Sequence, residues 1–363
     1  MSAKARRVYL DWNATAPLRI EARAAALEAS DTVGNPSAVH AEGRAARAVV
    51  ERARVQVAAL VNCDPDEVVF TSGATEGARM LSGLPAGCDV LVQDTAHDCL
   101  WAHLSLANQA KRPEGPGHTL AMGLANSETG VVTRPERDER GWVHGPRARA
   151  EWLFLDIVQA AGRMPVDLPA LGGDFAILSA HKMGGPKGVG ALIVRGGVEI
   201  EPLQQGGGQE SKRRSGTENV AGIAGFGAAA EAARRELEDG SWARVGYLRK
   251  ILENTLAEAA PDLIIFGQGA ERLPNTSCFA VPGWKGETQV MQMDLAGFAV
   301  SAGSACSSGK VSDSRVLRAM GADPETARSA IRVSMGPATT EAEVSAFAEA
   351  WANAYRKRRA RAA

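Results

Sequence analysis

Three places in the chain hold side chains suited to amine chemistry. They are Lys182 in SAHKMGGPKG (179–188), Asp156 in FLDIVQAAG (154–162), and the hydroxyls of TSGATEG (71–77). A lysine that follows an apolar run and sits near other cations has a lowered pKa, which makes its amine nucleophilic enough for a Schiff base. Alone, Lys182 reads more readily as a solvated loop charge. Asp156 ends an apolar run at the sheet edge where ligands bind in parallel α/β folds; alone it serves equally as a capping residue. Gln159, three residues on, shares its face on a continuing helical turn. TSGATEG reads as a strand running into a helix N-terminus, which suits an anion, with Thr75 adding a hydroxyl, or as a plain cap. It is not a Walker loop, because GxxxxGK[ST] is absent. Together the three meet the needs of pyridoxal phosphate (PLP): an amine, a carboxylate for the pyridine nitrogen and a phosphate cup.

These residues need an α/β framework. EVVF (67–70), DVLVQD (89–94), EWLFLD (151–156), DFAILSA (174–180) and VGALIVR (189–195) read as strands separated by alanine-rich or amphipathic stretches. The chain turns helical from about Glu218. A second α/β portion follows, with a helix over 243–259 and strands near 262–266, 276–281 and 298–301. A closing helix carries Val344, Phe347, Trp351 and Tyr355 on one stripe. This predicts a larger domain over 1–240 and a smaller C-terminal one over 241–363, with the first fifteen or so residues packing on the smaller.

The 363 residues suffice for a substantial core. With 41 basic and 42 acidic side chains, the charge balance gives no reason to expect nucleic acid or an anionic membrane as partner. No apolar run reaches the roughly 18 residues of a membrane span. The N-terminus lacks the apolar core of a secretory signal, so the expected location is the cytoplasm. Five scattered cysteines without a CxxC pair argue against a disulfide framework and a zinc site. Cys306 stands apart from the other four, in the small and polar stretch SAGSACSSG, which reads as an exposed loop.

The chain resembles the cysteine desulfurases of the class V aminotransferase group, PLP enzymes of fold type I. The resemblance runs nearly end to end through YLDWNATAPL, GNPSAVHAEGRAAR, FTSGATEG, SETG, SAHKMGGPKGVGAL, GGGQESKRRSGTEN, SAGSACSSG and AIRVSMGPATTEAE. It implies a large domain with a mostly parallel sheet and a smaller α/β domain. Lys182 would hold PLP covalently, Asp156 would pair with the pyridine nitrogen, and Gln159 would reach the phenolic oxygen. Ala74, Thr75, Ser179 and His181 would bind the phosphate, and Thr217 would reach it from the partner of a homodimer. His97 would stack on the cofactor ring and assist proton transfer. Arg332 would clamp the carboxylate of L-cysteine. Cys306 would take the sulfur as a persulfide for an acceptor protein, leaving alanine.

Three departures from the family pattern stand out. Ser127 replaces an asparagine whose amide contacts cofactor and substrate; it is shorter and has no NH₂ to donate. Arg79 brings a charge near the phosphate helix. The stretch from His97 to Asn126 is shorter than usual. Two alternatives follow: a related PLP enzyme acting on selenocysteine or another amino acid, or a weakly active PLP-binding regulatory protein. The sulfur's destination (iron–sulfur scaffold, thiolated RNA or another carrier) is left open.

Overall fold

The computed structural model describes residues 7–84, 89–104, 118–146, 148–303 and 313–362. They divide into two compact units. The larger holds Ala16–Ala125 and Thr133–Asp239; the smaller holds the chain up to Thr15, Asn126–Val132 and Gly240–Ala363.

The larger unit is built on a six-stranded sheet in the order Val68–Thr71, Gly190–Val194, Phe175–Ser179, Trp152–Asp156, Thr119–Gly123, Val90–Val92. Only Gly190–Val194 runs antiparallel to its neighbours. Its central strands are buried on both faces, as near-continuous apolar runs such as WLFLD and FAILS require. The fold is thus the expected α/β architecture with a mostly parallel sheet. The helices Ile20–Ser30 and Ala41–Val61 pack on the glycine- and alanine-rich helix Val220–Glu238. A Cβ at Gly227 would lie 2.6 Å from Ala53 Cα, so this close approach needs glycine.

In the smaller unit, Ile264–Ile265, Thr276–Ala280, Ala330–Ser334 and Ser301–Ala302 form an antiparallel sheet in that order. Val8–Tyr9 pairs in parallel with Phe298–Ala299. The expected stripe on the closing helix, Glu341–Ala362, is buried: Trp351 meets Phe279 edge-on and stacks on Tyr355, and its Nε1 donates to Gln289 Oε1 at 2.9 Å.

Sequence patterning locates the strands around Lys182 and Asp156 to within a residue or two. It misses Thr119–Gly123, Ala330–Ser334 and a small antiparallel meander, Arg137–Asp138, Gly141–His144 and Ala148–Ala150. The meander's first strand is exposed and charged, so no apolar alternation marks it. Among the described residues, no helix is long and apolar enough to cross a membrane.

The loop preceding Thr217 is pinned in an unusual way. Glu210, Ser211 and Lys212 all have left-handed φ, at 46°, 55° and 67°, which is costly for residues with a Cβ. The buried Glu210 carboxylate holds this turn. It accepts from Arg54 Nη1 (2.8 Å) and Nη2 (2.9 Å) and from Phe70 N (2.8 Å). Arg54 Nη1 also donates to Val68 O at 2.7 Å, tying the loop to the strand that leads into TSGATEG. Removing one partner of a buried ion pair costs about 3–5 kcal/mol. Glu210→Ala is therefore expected to lower the free energy of urea unfolding by about 3 kcal/mol; a change below about 1 kcal/mol would show that the pair does not hold the loop.

Candidate active site

The larger unit gathers most of the predicted residues at one end of its sheet. Asp156 ends the strand Trp152–Asp156, His97 follows Val90–Val92, and Lys182 follows Phe175–Ser179. Asp156 is buried; one carboxylate oxygen accepts from Val158 N at 2.9 Å. Burial pushes its pKa up, and the nearby His97 and Lys182 oppose this as cations. A buried carboxylate is best stabilised by a cation with a proton to donate, which a protonated pyridine nitrogen is. The donor set therefore fits PLP.

His97 caps the short helix Asp98–Trp101, its Nδ1 accepting from Cys99 N at 3.1 Å. In the neutral ring this places the proton on Nε2. The ligand atoms of His97, Cys99 and Asp156 lie within 4.8 Å of one another. Gln159 is buried, and its Oε1 accepts from Arg163 Nη1; Arg163 Nη2 also donates to Lys182 O at 3.0 Å. A glutamine amide carries the NH₂ donor that contact with a phenolic oxygen requires.

Thr71 and Ser179 both lie in register with Gly190. A Cβ at Gly190 would come within 2.7 Å of Gly73 Cα, so glycine brings the TSGATEG turn down onto the sheet beside Ser179. The helix Ala74–Ala78 begins there with no side-chain cap at Gly73. Glu76 accepts from Ser72 N at 2.7 Å and from Arg214 Nε at 2.9 Å. Arg79 is exposed at the other end of this helix. His181 has its pKa lowered to about 4 by burial and by the cations Lys182, Lys187 and Arg163. It is neutral at pH 7, and can donate to a phosphate without adding charge. Lys187 is exposed. Thr217 is exposed too, beside a pocket of about 110 Å³ shared with Thr71, Ser72 and Arg214.

Ser127 and Arg332 belong to the smaller unit. The Arg332 guanidinium is buried; Nη2 donates to Asp11 Oδ1 at 2.8 Å and Nη1 to Ser127 O at 3.0 Å. Asn13 Nδ2 also donates to Ser127 O, at 3.1 Å. Ser127 thus engages Arg332 through its main chain, a contact that side-chain comparison does not anticipate. Cys306 lies outside the described residues, as do Cys88 and residues 105–117 of the shortened stretch. Burial pushes the thiols of Cys63 (to about 12), Cys99 and Cys278 up, so none of the three is suited to act as a thiolate.

Two site residues escape the sequence reading. Arg163 is four residues from Gln159, a helical spacing that marks it in retrospect. Asp11 closes the apolar run before WNAT, but its partner Arg332 is 321 positions away.

The aminotransferase class-V family model matches residues 8–114 and 119–347. A cysteine desulfurase of Cereibacter sphaeroides is 38% identical, covering 94% of each chain. The cysteine desulfurase IscS of Dictyoglomus turgidum is 33% identical over 93% of this chain and 92% of its own. A NifS-like protein from Rickettsia africae superposes with a TM-score of 0.83 at 28% identity, covering 97% of this chain and all of that one. The chain belongs to the class V aminotransferases and, among them, to the cysteine desulfurase family.

His181 carries a pH signature. Its folded pKa, about 4, lies below the ordinary value of 6.5. Above pH 6.5 both folded and unfolded states hold it neutral. As pH falls from 6.5 towards 4 the unfolded state takes up the proton first, so stability is lost across that window. Urea unfolding at pH 7 and pH 4.5 is expected to show a smaller loss in His181→Gln than in the parent; equal losses would contradict this placement.

Proposed function

We propose that this protein is a PLP-dependent cysteine desulfurase that converts L-cysteine to L-alanine and passes the sulfur on through a persulfide on Cys306. The reading is carried by the convergence of Lys182, Asp156 and His97 at one end of the sheet. PLP, when bound, supplies an electron sink that makes the substrate's Cα proton removable. Asp156 holds the pyridine nitrogen protonated, and Gln159, oriented by Arg163, donates to the phenolic oxygen. Ala74 N, Thr75, Ser179 and the neutral His181 bind the phosphate, completed by Thr217 of the partner in a homodimer; the exposure of Thr217 supports that assignment.

Lys182 would anchor the cofactor and is the base placed to take the substrate's Cα proton. Arg332 holds the substrate carboxylate. The Cys306 thiolate attacks the substrate sulfur: the C–S bond breaks, an S–S bond forms, and the carbon is protonated to give alanine. The electrons balance without an external oxidant or reductant. His97 supplies or accepts protons at the sulfur. The protein works in the cytoplasm and delivers sulfur to an acceptor protein, with iron–sulfur cluster assembly as one destination.

The test is incubation of the PLP-loaded protein with L-cysteine. Equimolar alanine and sulfide are expected in the presence of a reductant, and without it a mass gain of one sulfur on the Cys306 peptide. Cys306→Ala is expected to keep the cofactor's absorbance band and lose alanine formation by about a hundredfold or more. Alanine formed at the parent rate by that variant would rule out the assigned acceptor.

A further inference from the structure

We propose that Asp11 is the positioning residue that presents Arg332 to the substrate carboxylate, with Ser301 holding Asp11 in turn; the inference rests on the desulfurase reading. Arg332 lies on the strand Ala330–Ser334, in register with Ser301 on one side and Cys278 on the other. Asp11 reaches it from the N-terminal segment, which is fixed to the same strand by the pairing of Asp11 with Ser334 and by Asn13 N donating to Ser334 Oγ at 2.9 Å. Asp11 Oδ1 accepts from Arg332 Nη2, and Asp11 Oδ2 accepts from Ser301 Oγ at 2.7 Å.

A pair serving stability alone would be expected to use both carboxylate oxygens on the guanidinium, since the two-pronged geometry is the strongest. Here one oxygen is given to a serine instead. Arg332 is only 3% exposed, yet among the described residues its Nε has no acceptor. A buried guanidinium N–H without an acceptor is costly. An incoming carboxylate would accept from Nε and from the second proton of an η nitrogen, while Asp11 and Ser127 O keep the plane of the group fixed. Asp11 also offsets the buried positive charge when no substrate is bound. The preferred substrate is then an amino acid with a free α-carboxylate.

The experiment compares holoenzyme variants by KM, kcat and calorimetric binding of L-alanine and ethylamine, the latter lacking the carboxylate. For Asp11→Ala, KM for L-cysteine and the dissociation constant of L-alanine are expected to rise about tenfold, with kcat within about threefold of the parent and ethylamine binding unchanged. Asp11→Asn, which keeps an oxygen for Nη2, is expected to restore most of the loss. An unchanged or lowered KM in Asp11→Ala would reduce Asp11 to a counter-charge and overturn the proposal, as would equal weakening of L-alanine and ethylamine. Should Asp11→Ala not fold, Asp11→Glu moves the acceptor by one methylene, and an unchanged KM there overturns the proposal equally. If the parent forms no alanine from L-cysteine, the desulfurase reading fails by itself, and the calorimetric comparison still decides the role of Asp11.

Discussion

A carboxylate buried at the end of a central strand is the constraint around which the larger unit is organised. Asp156 is flanked in register by Gly123 and Ile177, and burial opposes its ionisation. One backbone N–H does not offset the desolvation of a full charge. The site therefore demands cationic or protonated company: Lys182 follows the adjacent strand Phe175–Ser179, and His97 follows Val90–Val92, two strands away on the other side. A ligand with a protonated ring nitrogen would complete that set.

The remaining site residues depend on backbone arrangements that hold their elements in place. Gly190 lets the TSGATEG turn descend onto the sheet, and Arg163 fixes Gln159 and the carbonyl of Lys182 together. Glu210 and Arg214 tether the Thr217 loop, one through Arg54 and Phe70 N, the other through Glu76 on the helix after the turn. In the smaller unit Asp11, Asn13 and Ser127 perform the same task for Arg332. Apart from Gly190 and the Arg163–Gln159 contact, these are polar contacts that bridge segments far apart in sequence, and none of them involves a reacting atom.

How much of this could be read from the sequence follows from the range of the interactions. Strands such as FAILS and WLFLD are legible because two-sided burial writes an unbroken apolar run. The polar residues that end them, Ser179 and Asp156, then fall at the sheet edge without further information. The stripe from Val344 to Tyr355 is legible for the same reason, its helical period being local. Thr119–Gly123 was hidden because a polar, glycine- and proline-containing stretch precedes it. The strand carrying Arg332, AIRVS, has a charged residue in its middle and a serine at its end, so no unbroken apolar run marks it. The pairings Asp11–Arg332 and Arg54–Glu210 leave no local trace, since nothing near Asp11 specifies a partner on another strand. The left-handed turn at Glu210 to Lys212 was illegible because none of its three residues is glycine.

In the proposed site Lys182, and not its neighbour Lys187, is the amine that holds the cofactor opposite Asp156. Borohydride reduction of the PLP-loaded protein, followed by proteolysis and mass spectrometry, tests it directly. A pyridoxyl adduct is expected on Lys182 and is lost in Lys182→Ala. An adduct on Lys187, or none on a protein that retains its cofactor band, would contradict it.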